Sequence, residues 1–175
     1  MGSLPFSSIP DAPMAYTATT VMSRMMDGLG YRYFWASEGL TDDVLDYRAE
    51  SSCRSLRETL EHIHNLVQMI EYSVNGQTYP IPEPEIPTDV DVRFETLSAI
   101  ERLSQTFRNA SSESTGEWKA RFKMGENHLE FPYWNMINGP MSDAIYHTGQ
   151  VVSQRRAAGF PMNSAVNVFT GHNDS

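Results

Sequence analysis

The sequence predicts an all-α protein folded as a single four-helix bundle. Four segments carry apolar residues at spacings of three and four, which is the repeat of one face of an α-helix. The length of 175 residues fits one domain, and 40% hydrophobic with 20% charged residues is typical of a globular protein. The single cysteine, Cys53, excludes a disulfide within the chain, so we expect a reducing, cytoplasmic location.

The first two helices are predicted at residues 15–38 and 56–74. The second begins with a capping-box pattern, because the spacing of Ser55 and Glu58 lets each side chain accept a hydrogen bond from the other's backbone N–H. Asn75-Gly76 ends this helix. The two apolar stripes contain Met22, Met25, Met26, Leu29, Tyr33, Phe34 and Trp35 in the first helix and Leu56, Leu60, Ile63, Val67 and Ile70 in the second.

A long connection follows the second helix. Four prolines within residues 79–87 favour an extended, stiff segment, which suits a crossover between helices better than a tight turn. The third helix is predicted at residues 90–109. Its apolar stripe consists of Phe94, Leu97, Ile100, Leu103 and Phe107.

The connection between the third and fourth helices is also long. Residues 118–124 and 128–131 lie on either side of a turn signal and predict a short hairpin. The fourth helix is predicted at residues 136–158, and Gly159 and Pro161 end it. Two long connections indicate a bundle that does not run simply up and down.

The chain outside the bundle falls into two short segments. We predict an N-terminal arm at residues 1–14, the bundle at 15–161 and a C-terminal tail at 162–175. The arm has no basic residue and contains three prolines, so it does not resemble a signal peptide. No apolar run approaches the ~18 residues that span a bilayer, and we expect no membrane partner.

The charge balance limits the partners. The formal net charge is −9, with 22 acidic against 13 basic residues. Binding to nucleic acid or to an anionic membrane needs clustered Lys and Arg, so we expect neither partner. Bundles hold ligands and metals between facing helices, and a small-molecule substrate is the expected partner.

The fourth helix carries a pair of metal-binding residue types. Asp143 and His147 are four residues apart, which places them on one helix face with Cβ atoms about 5–6 Å apart. Gln150 and Gln154 continue this stripe, and a polar stripe without Lys or Arg suits a cleft. The pair could hold one metal ion, or it could be an ordinary ion pair on a helix surface.

Two further histidines, His62 and His64, lie on opposite flanks of the second helix. Thr59, Leu66 and Met69 share the flank of His62 and make it the less polar one. We therefore expect His62 to be the more buried histidine and the better candidate ligand. A core histidine that makes one hydrogen bond is the alternative interpretation.

His62, Asp143 and His147 together form a set of two histidines and one carboxylate. Three protein ligands with an open position are typical of catalytic zinc and of the facial triad of non-haem iron(II). The open position would hold a water molecule whose pKa the metal lowers toward ~7. Each imidazole is expected to donate its second N–H to an outer acceptor.

Three runs of the chain resemble the DinB-like (YfiT-like) family, over about residues 15–161. The run from Ser55 to Ile63 is similar to the signature S-x-x-x-x-L-x-H-I. The run from Asp143 to Gln150 resembles the last-helix motif H-x-x-x-H-x-G-Q. The motif continues with an arginine and then G-x-P, which are matched by Arg155 or Arg156 and by Gly159 with Pro161. The first helix of the family is also similar to this chain, in the cluster Arg32-Tyr33-Phe34-Trp35 and the following Glu38-Gly-Leu-Thr41.

The resemblance implies a four-helix bundle, often a homodimer, with three metal ligands. His62 corresponds to the first ligand of the family and His147 to the last. Asp143 stands where the family usually has histidine. Aspartate ligates zinc, nickel, manganese or iron, so the site either survives with a harder ligand set or is weakened or lost.

Two functions remain open at this point. In the first, the protein is an enzyme in which one divalent metal (zinc, nickel, iron or manganese) activates water or a thiolate for hydrolysis or thiol transfer. Some relatives are thiol-dependent transferases or isomerases, and a low-molecular-weight thiol would serve as cofactor because Cys53 is far from the ligands in sequence. In the second, the protein is a non-catalytic dimeric bundle with a structural or vestigial metal site.

Several other residues are weaker candidates. Tyr31, Tyr33 and Trp35 of the first helix either pack in the core or line a ligand pocket. Tyr146 either packs or donates a hydrogen bond to a substrate. His128 falls in the predicted hairpin, where we expect it to be exposed.

Overall fold

The computed structural model describes residues 3–174, and this part of the chain is mainly helical. Met1, Gly2 and Ser175, which belong to the predicted arm and tail, lie outside the described residues. Within residues 3–174, no helix is both long and apolar enough to cross a membrane. In chain order the elements are α1 (Ala18–Ser37), α2 (Asp42–Leu45), α3 (Leu56–Val74), β1 (Tyr79–Ile81), α4 (Val92–Asn109), α5 (Ser114–Glu117), β2 (Lys119–Met124), β3 (Asn127–Pro132), α6 (Trp134–Met136), a π-helical turn (Ile137–Met141), α7 (Ser142–Ala157), β4 (Val166–Asn167) and β5 (His172–Asn173).

Side-chain caps define where the long helices begin. At α3, Ser55 Oγ accepts from the backbone N–H of Glu58, and the Glu58 carboxylate accepts from the backbone N–H of Ser55. The predicted bounds of this helix are confirmed at both ends. Thr17 and Thr20 form the equivalent box at α1, and Asp91 caps α4 by accepting from the backbone N–H three residues later.

The four long helices enclose the core. Helix α1 packs against α4 and α7, and α3 packs against the same two helices. Their apolar stripes meet in one cluster of buried side chains, so most of the predicted stripe residues pack in or against the core. Phe94 is the exception, because it lies in the first turn of α4 and is 47% exposed. The largest fully buried apolar side chains of this cluster include Met26, Leu29, Tyr33, Leu56, Ile63, Ile70, Leu97, Ile100, Leu103 and Phe107.

A small sheet corrects the prediction of an all-α fold. Strands β2 and β3 form the predicted antiparallel hairpin, which turns at Gly125. Strand β1, which comes from the proline-rich connector, pairs in parallel with β2 so that Tyr79 lies opposite Phe122. The connector is therefore part of the sheet at its first three residues. Local pattern could not show this, because the pairing partner lies more than forty residues away.

The last helix begins later than predicted. Helix α7 starts at Ser142, whereas the apolar pattern predicted a start near residue 136. Gly139 adopts a non-helical conformation (φ −93°, ψ −107°) and is followed by Pro140, which cannot donate an intrahelical hydrogen bond. A kinked π-helical turn therefore separates α6 from α7. Ser142 Oγ donates to the carbonyl of Ile137 and closes this turn.

The N-terminal arm and the C-terminal tail both lie on α1. Phe6 is 6% exposed and covers Gly30, where an added Cβ would lie 2.6 Å from the Phe6 ring. The backbone N–H of Ile9 donates to the carbonyl of Gly171, and the Tyr31 hydroxyl donates to Asn173. The arm, α1 and the tail are therefore packed together, while the predicted domain boundaries stay a prediction.

Arg155 joins the end of α7 to the end of α1. Its guanidinium donates to the carbonyls of Trp35, Ala36 and Glu38, and also to that of Phe160. Arg155 is 3% exposed, and burial lowers its pKa from the ordinary value. These bonds supply donors to carbonyls that the last turn of α1 leaves without helical partners. The orientation of α7 against α1 is fixed in this way.

Candidate metal centre

The structure brings His62 of α3 together with Asp143 and His147 of α7. One ligand atom from each residue lies within 4.8 Å of the other two. His62 Nε2 is 3.5 Å from one oxygen of Asp143, and His147 Nε2 is 3.4 Å from the other. The imidazole rings are nearly perpendicular, with centroids 4.6 Å apart. The three residues predicted from the sequence therefore form a group that could hold one metal ion.

Local structure explains why the three side chains meet. The kinked turn places Asp143 in the first turn of α7, where the helix dipole favours a carboxylate. His147 follows one turn later on the same face. Because α3 and α7 pack directly against each other, His62 faces this pair from the neighbouring helix.

Gln150 orients the His147 ring. The Nδ1–H of His147 donates to Gln150 Oε1 over 2.6 Å. This bond leaves the lone pair of Nε2 free, on the side that faces Asp143 and His62. Gln150 is thus the outer acceptor expected for His147. The sequence placed Gln150 on the correct stripe but could not assign it this role.

The surroundings favour a neutral His62. Burial lowers the pKa of His62 most, and the electrostatic effects of the neighbouring Arg54 and His147 side chains lower it further. Glu83 and the hydrogen bond to Asp143 act in the opposite direction and only partly offset these effects. A neutral imidazole is the form that binds a metal ion, so the environment prepares His62 as a ligand.

The two imidazoles of the group are more buried than its carboxylate. The His62 and His147 side chains are 18% and 11% exposed, whereas the Asp143 side chain is 42% exposed. A hollow of about 440 Å³, here called the Asp143 hollow, lies beside this carboxylate. It is lined by Asp143, Tyr146, Leu66, Asn138 and Pro140.

A second concavity lies on the other side of the group. This His147 cleft has a volume of about 340 Å³. Cys53, which we expected to lie apart from the ligands because of its distance in sequence, is exposed and lines the same cleft as His147. The structure therefore corrects that expectation. The other residues that line the cleft are Arg54, Thr59, Gln150, Ser153 and Gln154.

The predicted order of burial for the two α3 histidines is wrong. His64 is 9% exposed, and its Nδ1 lies 3.0 Å from the hydroxyl oxygen of Thr96 on α4. Helix α3 is covered by α4 on one flank and by α7 on the other, so the flank that looked polar in sequence is also buried. His64 is a core histidine, and His62 belongs to the candidate metal-binding group with Asp143 and His147.

The remaining candidates are placed as follows. Tyr31 and Tyr33 are buried, and neither of them lines the Asp143 hollow or the His147 cleft. Tyr146 is 63% exposed and lines the Asp143 hollow. His128 lies exposed on β3, as the hairpin predicted.

No family model matches the chain, and no curated protein matches its sequence. The resemblance to the DinB-like family therefore rests on the motifs alone.

Proposed function

We propose that the protein is a divalent-metal-dependent enzyme of DinB-like type that acts on a small molecule by hydrolysis or thiol transfer. The observation that carries this proposal is the meeting of two imidazole Nε2 atoms and the Asp143 carboxylate at a site that stays open on one side. Three protein ligands and an open position are the pattern of catalytic rather than structural zinc sites.

The fold is consistent with this class. Four long helices, in which α1 and α3 each pack against α4 and α7, support a DinB-like four-helix bundle with long second and third connections. The small sheet is an addition within those connections. On the same resemblance we propose a homodimer, and the single cysteine supports a reducing, cytoplasmic compartment.

The distances suit one ion. Two ligands held about 2.0–2.1 Å from one metal at a tetrahedral angle lie roughly 3.3–3.4 Å apart. The oxygens of Asp143 lie 3.5 Å and 3.4 Å from the Nε2 atoms of His62 and His147. Each imidazole therefore has a different Asp143 oxygen at this spacing, and one ligand atom from each of the three residues lies within 4.8 Å of the other two. Aspartate in place of the family's histidine makes the ligand set harder, which suits zinc, nickel, iron or manganese.

The residues around a bound ion would have different roles. A divalent metal bound here would lower the pKa of a coordinated water or of the thiol of a low-molecular-weight cofactor. Gln150 holds His147 in the tautomer that exposes Nε2. Tyr146 presents its side chain to the Asp143 hollow, where its hydroxyl can donate a hydrogen bond to a substrate oxygen.

One observation favours the alternative, a non-catalytic dimeric bundle with a structural or vestigial site. The Asp143 carboxylate is near enough to both imidazoles to pair with them directly when they carry a proton. In that case the group would only connect α3 to α7. Metal removal would then lower stability, or have no effect, and no turnover would be found.

The first test is metal content. The untagged protein, purified without chelator, is analysed for bound elements beside His62→Ala, Asp143→Ala and the control His128→Ala, which alters an exposed histidine on β3. We expect about one equivalent per chain in the parent and in the control, and loss in the other two variants. Absence of metal after reconstitution with zinc, nickel, manganese and iron(II) would overturn the proposal.

The second test separates the two functions. The metal-loaded protein is screened with ester, amide and electrophile substrates, the last in the presence of small thiols. Turnover that is lost in Asp143→Ala, with helical content unchanged by circular dichroism, supports the enzyme. A metal-loaded protein whose thermal midpoint falls on chelation, but which shows no turnover with any substrate, supports the non-catalytic alternative.

A further inference from the structure

The His147 cleft differs in charge from the rest of the molecule. The protein carries a net charge of −9, yet none of the described residues that line this cleft is Asp or Glu. Its walls hold Thr59, Gln150 and Gln154, which are neutral hydrogen-bonding side chains. The volume of about 340 Å³ is at the lower end of the range for small-ligand pockets.

Arg54 supplies a positive charge at this cleft, and its charge acts on the Glu58 carboxylate without forming a close ion pair with it. Within residues 3–174, no Asp or Glu oxygen lies within 4.0 Å of its guanidinium. Its neighbours in sequence differ, because Arg57 pairs with Asp42 at 3.0 Å and Arg48 pairs with Glu58.

The backbone around Arg54 accepts two side-chain hydrogen bonds, whereas its guanidinium has no ion-pair partner in the part of the chain that the structure describes. The side-chain amide of Gln154 donates to the Arg54 carbonyl over 3.4 Å, and Arg48 donates to the Cys53 carbonyl over 2.7 Å. The segment is therefore attached to α7 on one side and to Arg48 on the other. Because these bonds restrain the backbone of the segment, little further backbone entropy is lost when the Arg54 guanidinium binds a ligand.

We infer that the His147 cleft binds the carboxylate group of a small organic molecule and that Arg54 is the residue that recognises it. The planar guanidinium matches a carboxylate with two parallel hydrogen bonds. The inference rests on the proposed function in one respect, since it makes the substrate or the thiol cofactor an organic anion. The binding of the anion itself requires no metal.

Cys53 offers a direct measurement of this binding. It is the only thiol in the chain, it is exposed, and it lines the cleft with Arg54. A molecule seated in the cleft therefore shields Cys53 from N-ethylmaleimide, which is a neutral reagent. The rate of labelling is followed by mass spectrometry on the full-length, metal-free protein at constant ionic strength.

The probe is succinate, and its neutral counterpart succinamide is the ligand control. We expect succinate to slow labelling of Cys53 in a saturable way and succinamide to have little effect. In Arg54→Met the apparent dissociation constant for succinate should rise roughly fivefold, which corresponds to about 1 kcal/mol for an exposed ion pair. Each variant is compared with its own rate in the absence of succinate.

Arg156→Met is the matched control variant. Arg156 is an exposed arginine on α7 that does not line the cleft, so this variant removes the same charge from a different place. It should retain the protection by succinate. Equal protection in Arg54→Met, equal loss in Arg156→Met, or no protection by succinate in the parent would overturn the inference.

The outcome is independent of the metal measurement. Protection by succinate in a protein that binds no metal would support the anion site and leave the proposed enzyme without its ion. Metal binding without protection would remove Arg54 as a recognition residue and leave the metal proposal intact. The failures of the two proposals are therefore distinguishable.

Discussion

Arg155→Met should destabilise the protein although Arg155 is remote from any proposed chemistry. The guanidinium is 3% exposed and donates to the carbonyls of Trp35, Ala36, Glu38 and Phe160. Methionine fills much of the same space but offers no donor. The carbonyls at the end of α1 would then lose their partners, because no further turn of helix exists to supply N–H groups.

The expected cost follows from the exposure of the four carbonyls. The bond to Ala36 is buried, and an unsatisfied buried carbonyl costs about 1–3 kcal/mol. The other three bonds are partly buried, so water replaces the lost donors at a cost of roughly 0.5 kcal/mol each. Removing a buried charge returns part of its desolvation penalty. We therefore expect a net loss of about 2–4 kcal/mol.

Equilibrium unfolding in urea, followed by far-UV circular dichroism, measures this loss. Arg156→Met is the control, because the neighbouring side chain is exposed, and it should change the free energy of unfolding by less than about 0.5 kcal/mol. Arg155→Lys keeps the charge but loses the forked arrangement of N–H donors. Its loss in free energy of unfolding should lie between those of Arg155→Met and Arg156→Met. A loss for Arg155→Met no larger than that for Arg156→Met would refute the reasoning.

Three further predictions concern other parts of the fold. Gly30→Ala places a methyl group 2.6 Å from the Phe6 ring, so the arm should detach and be cleaved faster in limited proteolysis; an unchanged cleavage rate would contradict the packing. Burial lowers the pKa of His64, so the unfolded state binds this proton more readily than the folded state does. The free energy of unfolding should therefore be independent of His64 well above pH ~6.5 and should fall as the pH drops from about 6.5 to the lowered pKa. His64→Gln should remove this acid sensitivity from a series of thermal midpoints between about pH 8 and pH 5, and superimposable pH profiles would argue against it. Chelation should lower the thermal midpoint of the metal-loaded parent, since an ion held by the proposed ligands would connect α3 to α7, but leave that of His62→Ala unchanged; equal shifts in both proteins would exclude the bridge.

Features that depend on one short segment of the chain could be predicted from the local sequence. The bounds of α3 were predicted at both ends because Ser55 and Glu58 form a capping box and Gly76 adopts a positive φ after the last turn. The pairing of Asp143 with His147 follows from helical spacing in the same way. These features depend only on residues within a few positions of one another.

Features that depend on distant parts of the chain could not be predicted. The pairing of β1 with β2 joins segments separated by the whole of α4, and the sequence predicted only an extended connector at β1. The order of burial for His62 and His64 depends on which helices cover α3, and periodicity does not specify that. The role of Gln150 depends on a ring orientation, which only coordinates define.

The late start of α7 lies between these two cases. Gly139 and Pro140 are visible in the sequence, and each is unfavourable inside a helix. The apolar pattern nevertheless runs through them from Met136, because α6 and the π-helical turn bury Met136 and Met141 on the same side. A continuous stripe therefore does not require a continuous helix.

The covering of α1 by the arm and the tail has a consequence for biosynthesis. Helix α1 is made early, whereas Gly171, which accepts the hydrogen bond of Ile9, and Asn173, which accepts that of Tyr31, leave the ribosome at the end of the described chain. The outer face of α1 consequently stays uncovered until residues 171–173 have been synthesised. An apolar helix surface that waits for so distant a segment is exposed to non-native contacts while the intervening residues are made.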